Sequence, residues 1–381
     1  MKITIYTHNA IEYLTMATKS NQYVPQIQFH PGETLAEKLE ELGMGPKEFS
    51  VRTNKPEKTI IAVLSAKSSI TPEMAVKFEH VLKIPAHFWL KQQSEYDEYL
   101  AREENNKMVE NSIAWAKLFP VKEMIKLGWI SEKQEWEEKT KELLSFFCIS
   151  NHKAWENYYL NQELKTAFRI SLKNTQQPHS ISAWLRHGEV AAAKIESYSY
   201  SEAGLRALLP ELKLLMAKQP EDFFVKLQTI CLKAGVKVIY TPCLSHAPIS
   251  GATRWINDNP VIQISGRYKR NDNFWFTFFH EAGHILLHGK KDIFLKNVEN
   301  CEESPDKEQE ANNFAIKWTF SFAEEKQLLS KGILTEPDIQ EYANQINTHP
   351  AMIIGRLQHK KLISYSVGKK FLVPVDLSDK V

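Results

Sequence analysis

Residues 274–288 read FWFTFFHEAGHILLH, in which His280 and His284 lie four positions apart and Glu281 follows the first of them. On an α-helix, residues four apart lie about 40° from one another and one turn along, so both imidazoles can bind a single metal ion. The adjacent glutamate then faces the open coordination position of the ion, where a water binds. The pattern predicts His280 and His284 as metal ligands and Glu281 as the general base for zinc-dependent peptide hydrolysis.

The flanks of this motif are almost entirely apolar, which predicts a helix that is buried on most sides. Gly283 costs about 1 kcal/mol of helix propensity relative to alanine, so we expect another part of the chain to pass close to the backbone there. Buried polar groups need partners, and a metal ion supplies one for two histidines and a glutamate. The alternative is a core helix whose histidines bond to backbone carbonyls.

A catalytic zinc site with one free position needs a third protein ligand. The apolar spacing after residue 307 predicts a second helix that packs on the first, and Glu308 lies near the face that this spacing defines. Glu310 lies about 200° round that helix and is the weaker candidate, since the helix dipole alone explains a solvated carboxylate in a first turn. His288 continues the four-residue spacing with a larger offset, so we expect it behind the ligands or at an interface.

The composition sets broad limits on the function. The chain has 381 residues, enough for two or three domains, and its 43% hydrophobic and 25% charged residues are typical of a soluble globular protein. A net charge of +2 means that any nucleic-acid surface must be a local patch. Four widely spaced cysteines without a Cys-x-x-Cys pair indicate free thiols in a reducing compartment. Without a transmembrane run or a signal peptide, we expect a cytoplasmic protein with no membrane partner.

The pattern along the chain predicts an α+β fold that is mostly helical, in four regions. Residues 1–28 are an unassigned lead-in, with at most a strand and a helix. Residues 29–105 are a bundle of short helices, and residues 106–230 are a helical connecting region. Residues 231–370 hold the metal helix and a small sheet packed on it.

Three short segments before the metal helix have the alternating pattern of strands, at residues 236–240, 251–256 and 261–265. Residues 257–260 are a turn signal, and together the segments predict an antiparallel meander. Tyr240 and Arg254 in these strands, with His288, are candidates for the donor that stabilises the oxyanion.

The N-terminal bundle contains a predicted helix-turn-helix. One helix begins after Gly45-Pro46, the turn is Asn54-Lys55-Pro56, and the next helix carries Ile60 to Leu64. Thr71-Pro72-Glu73 opens a further helix with an N-cap and an early proline. Two short helices joined by a tight turn are the arrangement that places the second helix in a DNA major groove.

Residues from about 231 to 365 resemble the metallopeptidase domain of the ImmA/IrrE family, which has a zincin-like fold. The residues that carry this resemblance are Ser250-Gly251-Ala252, residues 280–288, Glu308 with residues 310–315, and residues 347–358. Residues from about 30 to 97 resemble an XRE-type helix-turn-helix of the HigA antitoxin kind, through residues 30–33, 70–72 and 88–90. The segment 183–189 is also similar to proteins that fuse these two modules.

The resemblance implies a bacterial or phage-derived regulator in transcription or in a toxin-antitoxin system. Its zinc domain would cleave a partner repressor or antitoxin-type regulator and so relieve repression. One Zn²⁺ per chain would be held by His280, His284 and Glu308, with Glu281 as the base. Residues 318–321 depart from the family, which usually has an aliphatic pair and a proline there, but no ligand is lost.

The resemblance also implies operator DNA as a partner. The expected backbone contacts are Lys47, Arg52, Lys55, Lys58 and Lys67, and Lys58 and Thr59 are best placed for bases. Two departures oppose this reading, since Ser65-Ala66 replaces the usual Asn-Gly and Glu57 would repel phosphates. The alternative is a helical module for protein contacts with solvated lysines. Such DNA-binding modules commonly work as dimers, so a homodimer is possible.

A competing function is a HigA-like antitoxin or transcriptional repressor whose zinc site is structural or sensory. Glu281 argues against it, because a structural site has no use for a base beside an open position. The fourth coordination position distinguishes the two functions, since water there supports catalysis and a protein side chain supports the regulator alone.

Overall fold

The computed structural model describes residues 28–160, 177–245, 247, 249–267, 269–289, 294–296, 305–332 and 335–377. Residues 1–27, and with them almost all of the unassigned lead-in, lie outside this range. The chain divides into two compact units, an N-terminal unit within residues 1–108 and a C-terminal unit within residues 109–381. In the described part of the chain, no helix has both the length and the apolar character that crossing a membrane requires.

The N-terminal unit is a bundle of helices, three of which begin with proline at a position where a missing N–H leaves no hydrogen bond unmade. Thr71 caps one of these helices by accepting a hydrogen bond from the Met74 N–H, as the sequence predicts. Phe49, Phe78 and Trp89 form the aromatic centre of the core. The helices are α1 (Pro31–Glu41), α2 (Pro46–Thr53), α3 (Glu57–Leu64), α4 (Pro72–Leu82) and, as far as Met108, α5 (Ala86–Ala116).

Helices α2 and α3 form the predicted helix-turn-helix. Asn54 ends α2 in the left-handed conformation with φ 49°, which an asparagine tolerates better than most residues. Lys55 and Pro56 complete the turn. Ile60 and Val63 of α3 are buried in the core, so the opposite side of α3 faces solvent.

The middle of the chain is helical, as predicted, but its helices share the C-terminal unit with the sheet. Trp115, Phe119, Phe147 and Trp155 form a cluster of ring contacts in its core. The helices are α6 (Val121–Lys126), α7 (Trp136–Phe147), α8 (His152–Tyr159), α9 (Pro178–Ala193), α10 (Glu202–Lys218) and α11 (Phe223–Leu232).

The sheet contains strands β1 (Lys237–Tyr240), β2 (Gly251–Ile256), β3 (Asn259–Ile264) and β4 (Phe294–Lys296), in the order β1-β3-β2-β4. The predicted hairpin between β2 and β3 is present, with Asn257 and Asp258 both at positive φ in its turn. The predicted antiparallel meander is wrong, because β1 pairs with β3 in parallel. Residues between β1 and β2 therefore cross over β3 instead of forming a second hairpin.

In the part of the C-terminal unit that the structure describes, five helices and one 3₁₀ turn follow β3. α12 packs against β2 and β3 on one side and against α13 on the other, which makes it the central helix of the unit. The elements are α12 (Asn271–His288), α13 (Pro305–Thr319), α14 (Phe322–Leu329), α15 (Glu336–Gln345), α16 (Pro350–His359) and the 3₁₀ turn Lys369–Phe371. The predicted mostly helical α+β class, with a small sheet on the metal helix, is confirmed.

Candidate metal centre

The Nε2 atoms of His280 and His284 face each other. Their Nε2 atoms are 3.0 Å apart, and their rings meet edge to face with centroids 4.7 Å apart. Both residues lie on α12 one turn apart, and they are 1% and 0% exposed. Both histidines contact side chains, which differs from the alternative of histidines bonded to backbone carbonyls.

Glu308 is the carboxylate that completes this cluster. It lies in the first turn of α13, with Oε1 2.9 Å from His284 Nε2 and Oε2 3.3 Å from His280 Nε2. One ligand atom from each of the three residues lies within 4.8 Å of the others. Burial opposes ionisation of Glu308, but hydrogen bonds and charges from the two histidines outweigh it and hold its pKa well below the usual range. Glu310, the weaker candidate, contacts His288 instead.

The donors of this cluster fit a divalent metal ion such as zinc. Asn312 Oδ1 lies 3.0 Å from His280 Nδ1. An amide oxygen can only accept a hydrogen bond, so Nδ1 carries the proton and Nε2 keeps its lone pair for the cluster. Two imidazole nitrogens and one carboxylate, with a further position open, are the donor set of catalytic zinc sites. Without an ion, two buried imidazoles and a half-buried carboxylate would face one another with their lone pairs converging.

Glu281 lies beside the cluster and is fully buried, at 0% exposure. Thr253 Oγ1 on β2 donates a hydrogen bond to Glu281 Oε2 at 2.7 Å, which fixes the carboxylate. Gly251 at the start of β2 leaves room for the other oxygen, because a Cβ there would lie 2.6 Å from Oε1. The sequence reasoning missed both Thr253 and Gly251 as partners of the base. The available signals were the strand directly before the metal helix and the segment Ser250-Gly251-Ala252, which carries part of the family resemblance.

Gly283 has the role that its helix position suggested. A Cβ at this residue would lie 3.2 Å from the Phe314 side chain and 3.3 Å from the Ala311 Cα of α13. The glycine therefore lets α13 approach α12 closely, and this approach brings Glu308 to the histidines. The prediction that another part of the chain passes close to the backbone there is confirmed.

A cleft of about 650 Å³ adjoins the metal centre. Phe276 and Thr277 in its wall lie one turn before His280 and Glu281, and Asn312 is the residue that contacts His280. Apolar side chains such as Ile316 and Met352 line much of the rest. A volume of this size is typical of ligand pockets.

The candidate oxyanion donors lie in different surroundings. Arg254 is a wrong candidate, because its guanidinium contacts Glu189, Leu185 O and Gln263. Successive residues of a strand point to opposite faces, so Arg254 faces α9 while Thr253 faces Glu281. Tyr240 packs against the apolar core, and His288 lies behind His284.

The predicted DNA contacts lie on or near α2 and α3 of the N-terminal unit. Lys47, Lys58 and Lys67 are exposed, whereas Lys55 and Thr59 are half-buried. Arg52 forms an ion pair with Glu48 at 2.7 Å, and Lys55 forms one with Glu73 at 2.7 Å. Two of the expected cations are therefore already paired with carboxylates.

Ile61 is a residue on this surface that the sequence reasoning missed. It is 50% exposed and lies three positions after Lys58, on the solvent side of α3. An apolar side chain on a helix in the major groove can contact the methyl group of thymine. The three-residue step from Lys58 was the signal that could have identified it.

Comparison with known proteins finds similarity to a peptidase family and to antitoxin structures. Residues 231–328 match the model of a peptidase family described as the IrrE N-terminal-like domain. The match contains His280, Glu281, His284 and Glu308, and it confirms the resemblance of the C-terminal region that the sequence predicts. No curated protein matches the chain.

Several solved structures are similar to part of the chain, and three of them each cover 22% of it. One is an addiction module antidote protein of the HigA family from Coxiella burnetii, 30% identical, with 95% of its chain covered and a TM-score of 0.21. Another is the Pseudomonas aeruginosa antitoxin HigA with the higBA promoter, 28% identical, with 94% covered and a TM-score of 0.22. A third is a P. aeruginosa protein in complex with operator DNA, 27% identical, with 90% covered and a TM-score of 0.21.

Proposed function

We propose that the chain is a DNA-binding regulator with a zinc-dependent endopeptidase domain that cleaves a partner regulatory protein, of the repressor or antitoxin type. One observation carries the enzymatic part, namely the fully buried Glu281 beside a cluster of His280, His284 and Glu308. Burial of a carboxylate costs stability even when a hydroxyl group such as that of Thr253 bonds to it, so a buried carboxylate beside the metal ligands supports a chemical role.

The residues of the chain supply binding and proton transfer. His280, His284 and Glu308 would hold a divalent ion, which would supply Lewis acidity toward a water and a peptide carbonyl. Glu281 takes the proton of the attacking water and delivers it to the leaving amine. The hydrogen bond from Thr253 to Oε2 orients the carboxylate for both transfers. The adjoining cleft receives the polypeptide on one side of the bond that is cleaved.

The N-terminal unit supports DNA binding by its own geometry. The exposed side of α3 carries Lys58 and Ile61, and the turn and helices around it carry further lysines. A helix of this kind can enter the major groove while cations beside it contact phosphates. The proposed partner is an operator, and the predicted homodimer would contact two half-sites.

The peptidase proposal is tested with the full zinc-loaded chain and a peptide library made from a cellular digest, followed by mass spectrometry of new termini. Wild type should cleave, and Glu281→Gln should keep its zinc while the rate falls about 10²- to 10⁴-fold. Glu341→Gln, at an exposed carboxylate of α15, is the matched control. Cleavage by Glu281→Gln at the wild-type rate would show that the base is another residue.

The same variant separates the two competing functions. Glu281→Gln should retain a bound substrate, so cross-linking in cells should capture the partner that wild type then cleaves. If wild type binds zinc but cleaves neither the library nor any captured protein, the site is structural or sensory. A chain of that kind would be a transcriptional regulator alone.

The DNA proposal is tested by selecting bound sequences from random duplexes with the full chain. Affinity should fall steeply with salt, as expected for phosphate contacts, and the stoichiometry of the saturated complex tests the homodimer. Failure to enrich any sequence, together with binding that is independent of salt, would contradict the DNA-binding role.

A further inference from the structure

A chain of hydrogen bonds lies behind the metal ligand His284. His284 Nδ1 is 3.0 Å from His288 Nδ1, and His288 Nε2 is 3.0 Å from Glu310 Oε2. The His288 side chain is only 3% exposed, whereas that of Glu310 is 61% exposed. The chain therefore connects the buried cluster to a carboxylate at the surface.

The chemistry of the three groups fixes the direction of these hydrogen bonds. A carboxylate only accepts, so the proton between Glu310 and His288 belongs to His288 Nε2. A neutral imidazole has one N–H, so His288 Nδ1 is then an acceptor. His284 must donate from Nδ1 to that acceptor. Its Nε2 is thereby left with the lone pair that a metal ligand requires.

The other histidine ligand, His280, also carries its proton on Nδ1 and keeps the lone pair on Nε2. His280 Nδ1 faces Asn312 Oδ1 directly at 3.0 Å, without an interposed ring. The two ligands thus present Nε2 through different partners, an amide for His280 and an imidazole with a carboxylate for His284. His288 has both ring nitrogens engaged, which keeps it out of the coordination sphere.

The end of α12 holds His288 in place. Gly289 follows it with φ 69°, which ends the helix, and the Gly289 carbonyl accepts a hydrogen bond from Trp255 Nε1 at 3.0 Å. Arg206 Nη2 donates to the Leu286 carbonyl at 3.0 Å in the same turn. These contacts satisfy carbonyls that a helix terminus leaves without intrahelical partners.

We propose that His288 and Glu310 are positioning residues that hold His284 in its metal-binding tautomer and orientation. The inference rests on the zinc site of the proposed function but not on peptide hydrolysis. His288 Nδ1 is the acceptor that His284 Nδ1 needs. Glu310 fixes the tautomer of His288 by accepting a hydrogen bond from its Nε2. Neither residue touches the ion or the substrate.

The test is the zinc affinity of the full chain, measured by competition with a chelator. His288→Leu removes the acceptor and should weaken zinc binding about 10- to 100-fold, the range found for such supporting partners. His288→Asn should restore most of the affinity, because its amide oxygen can take the place of the ring Nδ1. Glu310→Ala should have a smaller effect than His288→Leu, since the acceptor itself remains.

Nitrogen NMR of the zinc-loaded chain gives a second readout. His284 should carry a proton on Nδ1 and the metal on Nε2 in wild type, and His288 should carry its proton on Nε2. Because Glu310 is exposed, Glu310→Ala should fold normally and should change the tautomer of His288. Melting of the metal-free variants shows whether any loss of affinity comes from unfolding.

The outcomes separate the inference from the proposed function. Equal zinc affinity in His288→Leu and wild type, or equal weakness in His288→Asn and His288→Leu, would overturn the positioning role. Wild type that binds zinc with the expected ranking of variants but cleaves no peptide would remove the peptidase and leave the inference. Wild type that binds no zinc would remove both.

Discussion

The metal centre and the surface of the helix-turn-helix hold their candidate residues in opposite environments. His280, Glu281 and His284 are at most 1% exposed, whereas Lys47 and Lys58 are exposed. A buried polar atom must have a partner, so packing fixes its position within tenths of an ångström. An exposed lysine can occupy several rotamers, and its contribution depends on its charge and on nearby charges. Geometry therefore governs one site and charge governs the other.

This difference predicts how each site responds to mutation. At the metal centre, the sensitive positions include glycines that carry no chemistry, because they set the distances between groups that do. On α2 and α3, the sensitive positions are the charged residues themselves. Carboxylates beside them matter as well, since Glu48 and Glu73 already neutralise Arg52 and Lys55.

Among variants that remove no chemical group, the largest effect is expected from Gly251→Ala, which adds one methyl group at the metal centre. Its Cβ would lie 2.6 Å from Glu281 Oε1 and 2.7 Å from Thr277 Cγ2, so the carboxylate must move. A displacement of about 1 Å in a reacting group can lower the rate about 10²-fold, and we expect peptide hydrolysis to fall by that order. Zinc affinity should stay close to wild type, because no ligand is displaced.

Gly283→Ala is the matched control for that variant. Its Cβ would press on Phe314 and on the Ala311 backbone, so α13 must shift and carry Glu308 away from the histidines. Here zinc affinity should fall together with hydrolysis. The view that geometry governs this site would be wrong if both variants hydrolysed peptides at the wild-type rate.

The sequence was sufficient for the parts of the metal centre that depend on local helix geometry. The period of the α-helix places His280 beside His284, and it distinguishes Glu308 from Glu310 on α13. Their roles as ligands stay predictions, but the structure brings these three side chains together. Thr253 and Gly251 could not be found in this way, because they reach Glu281 across 28 and 30 residues of chain that fold through the sheet.

The pairing of strand β1 could not be derived from the sequence for a related reason. The turn Asn257-Asp258 specifies the hairpin of β2 and β3 locally, and that part of the prediction is confirmed. The place of β1 depends on α9, which packs on the face of the sheet that carries Gln263. Gln263 Nε2 donates to the Trp184 carbonyl at 2.7 Å and to Thr241 Oγ1 at 2.9 Å. Such long-range polar contacts leave no periodic signal in the sequence.

A smaller effect is expected on the proposed DNA-binding surface, where the charge of the side chains governs affinity. Lys58→Ala should weaken DNA binding several-fold and reduce the salt dependence by about one phosphate contact. Arg52→Ala should have the smaller effect, because the guanidinium must first leave Glu48. Fluorescence anisotropy of the full chain measures both affinities at salt concentrations from roughly 50 to 200 mM, the range over which such contacts weaken.

Lys91→Ala on α5 removes the same charge from another helix of the N-terminal unit and serves as the control. A larger loss for Arg52→Ala than for Lys58→Ala would mean that the Glu48 pair does not hold the guanidinium back. Equal losses for all three variants would mean that only the net charge of the unit matters.

The smallest effect concerns two half-buried histidines outside the metal centre, which test whether partial burial imposes a pH dependence. Burial lowers the pKa of His187 to about 4, with a lesser contribution from Lys194, and burial lowers that of His179 to about 4 as well. Below about pH 6.5 these histidines are protonated in the unfolded chain but stay neutral in the folded chain. The free energy of unfolding should therefore decrease as the pH falls from about 6.5 to about 4. In the presence of a chelator, His187→Gln should lose about 1–2 kcal/mol less stability than wild type over this range, measured by urea unfolding at each pH.

The metal-free cluster is the same in both proteins, so its contribution cancels in the comparison. A second substitution at His179 should reduce the pH dependence of stability further. If wild type and His187→Gln lose the same stability in acid, partial burial does not keep His187 neutral. The stacking of His187 on Trp129, with ring centroids 4.3 Å apart, would then be too weak to exclude the proton.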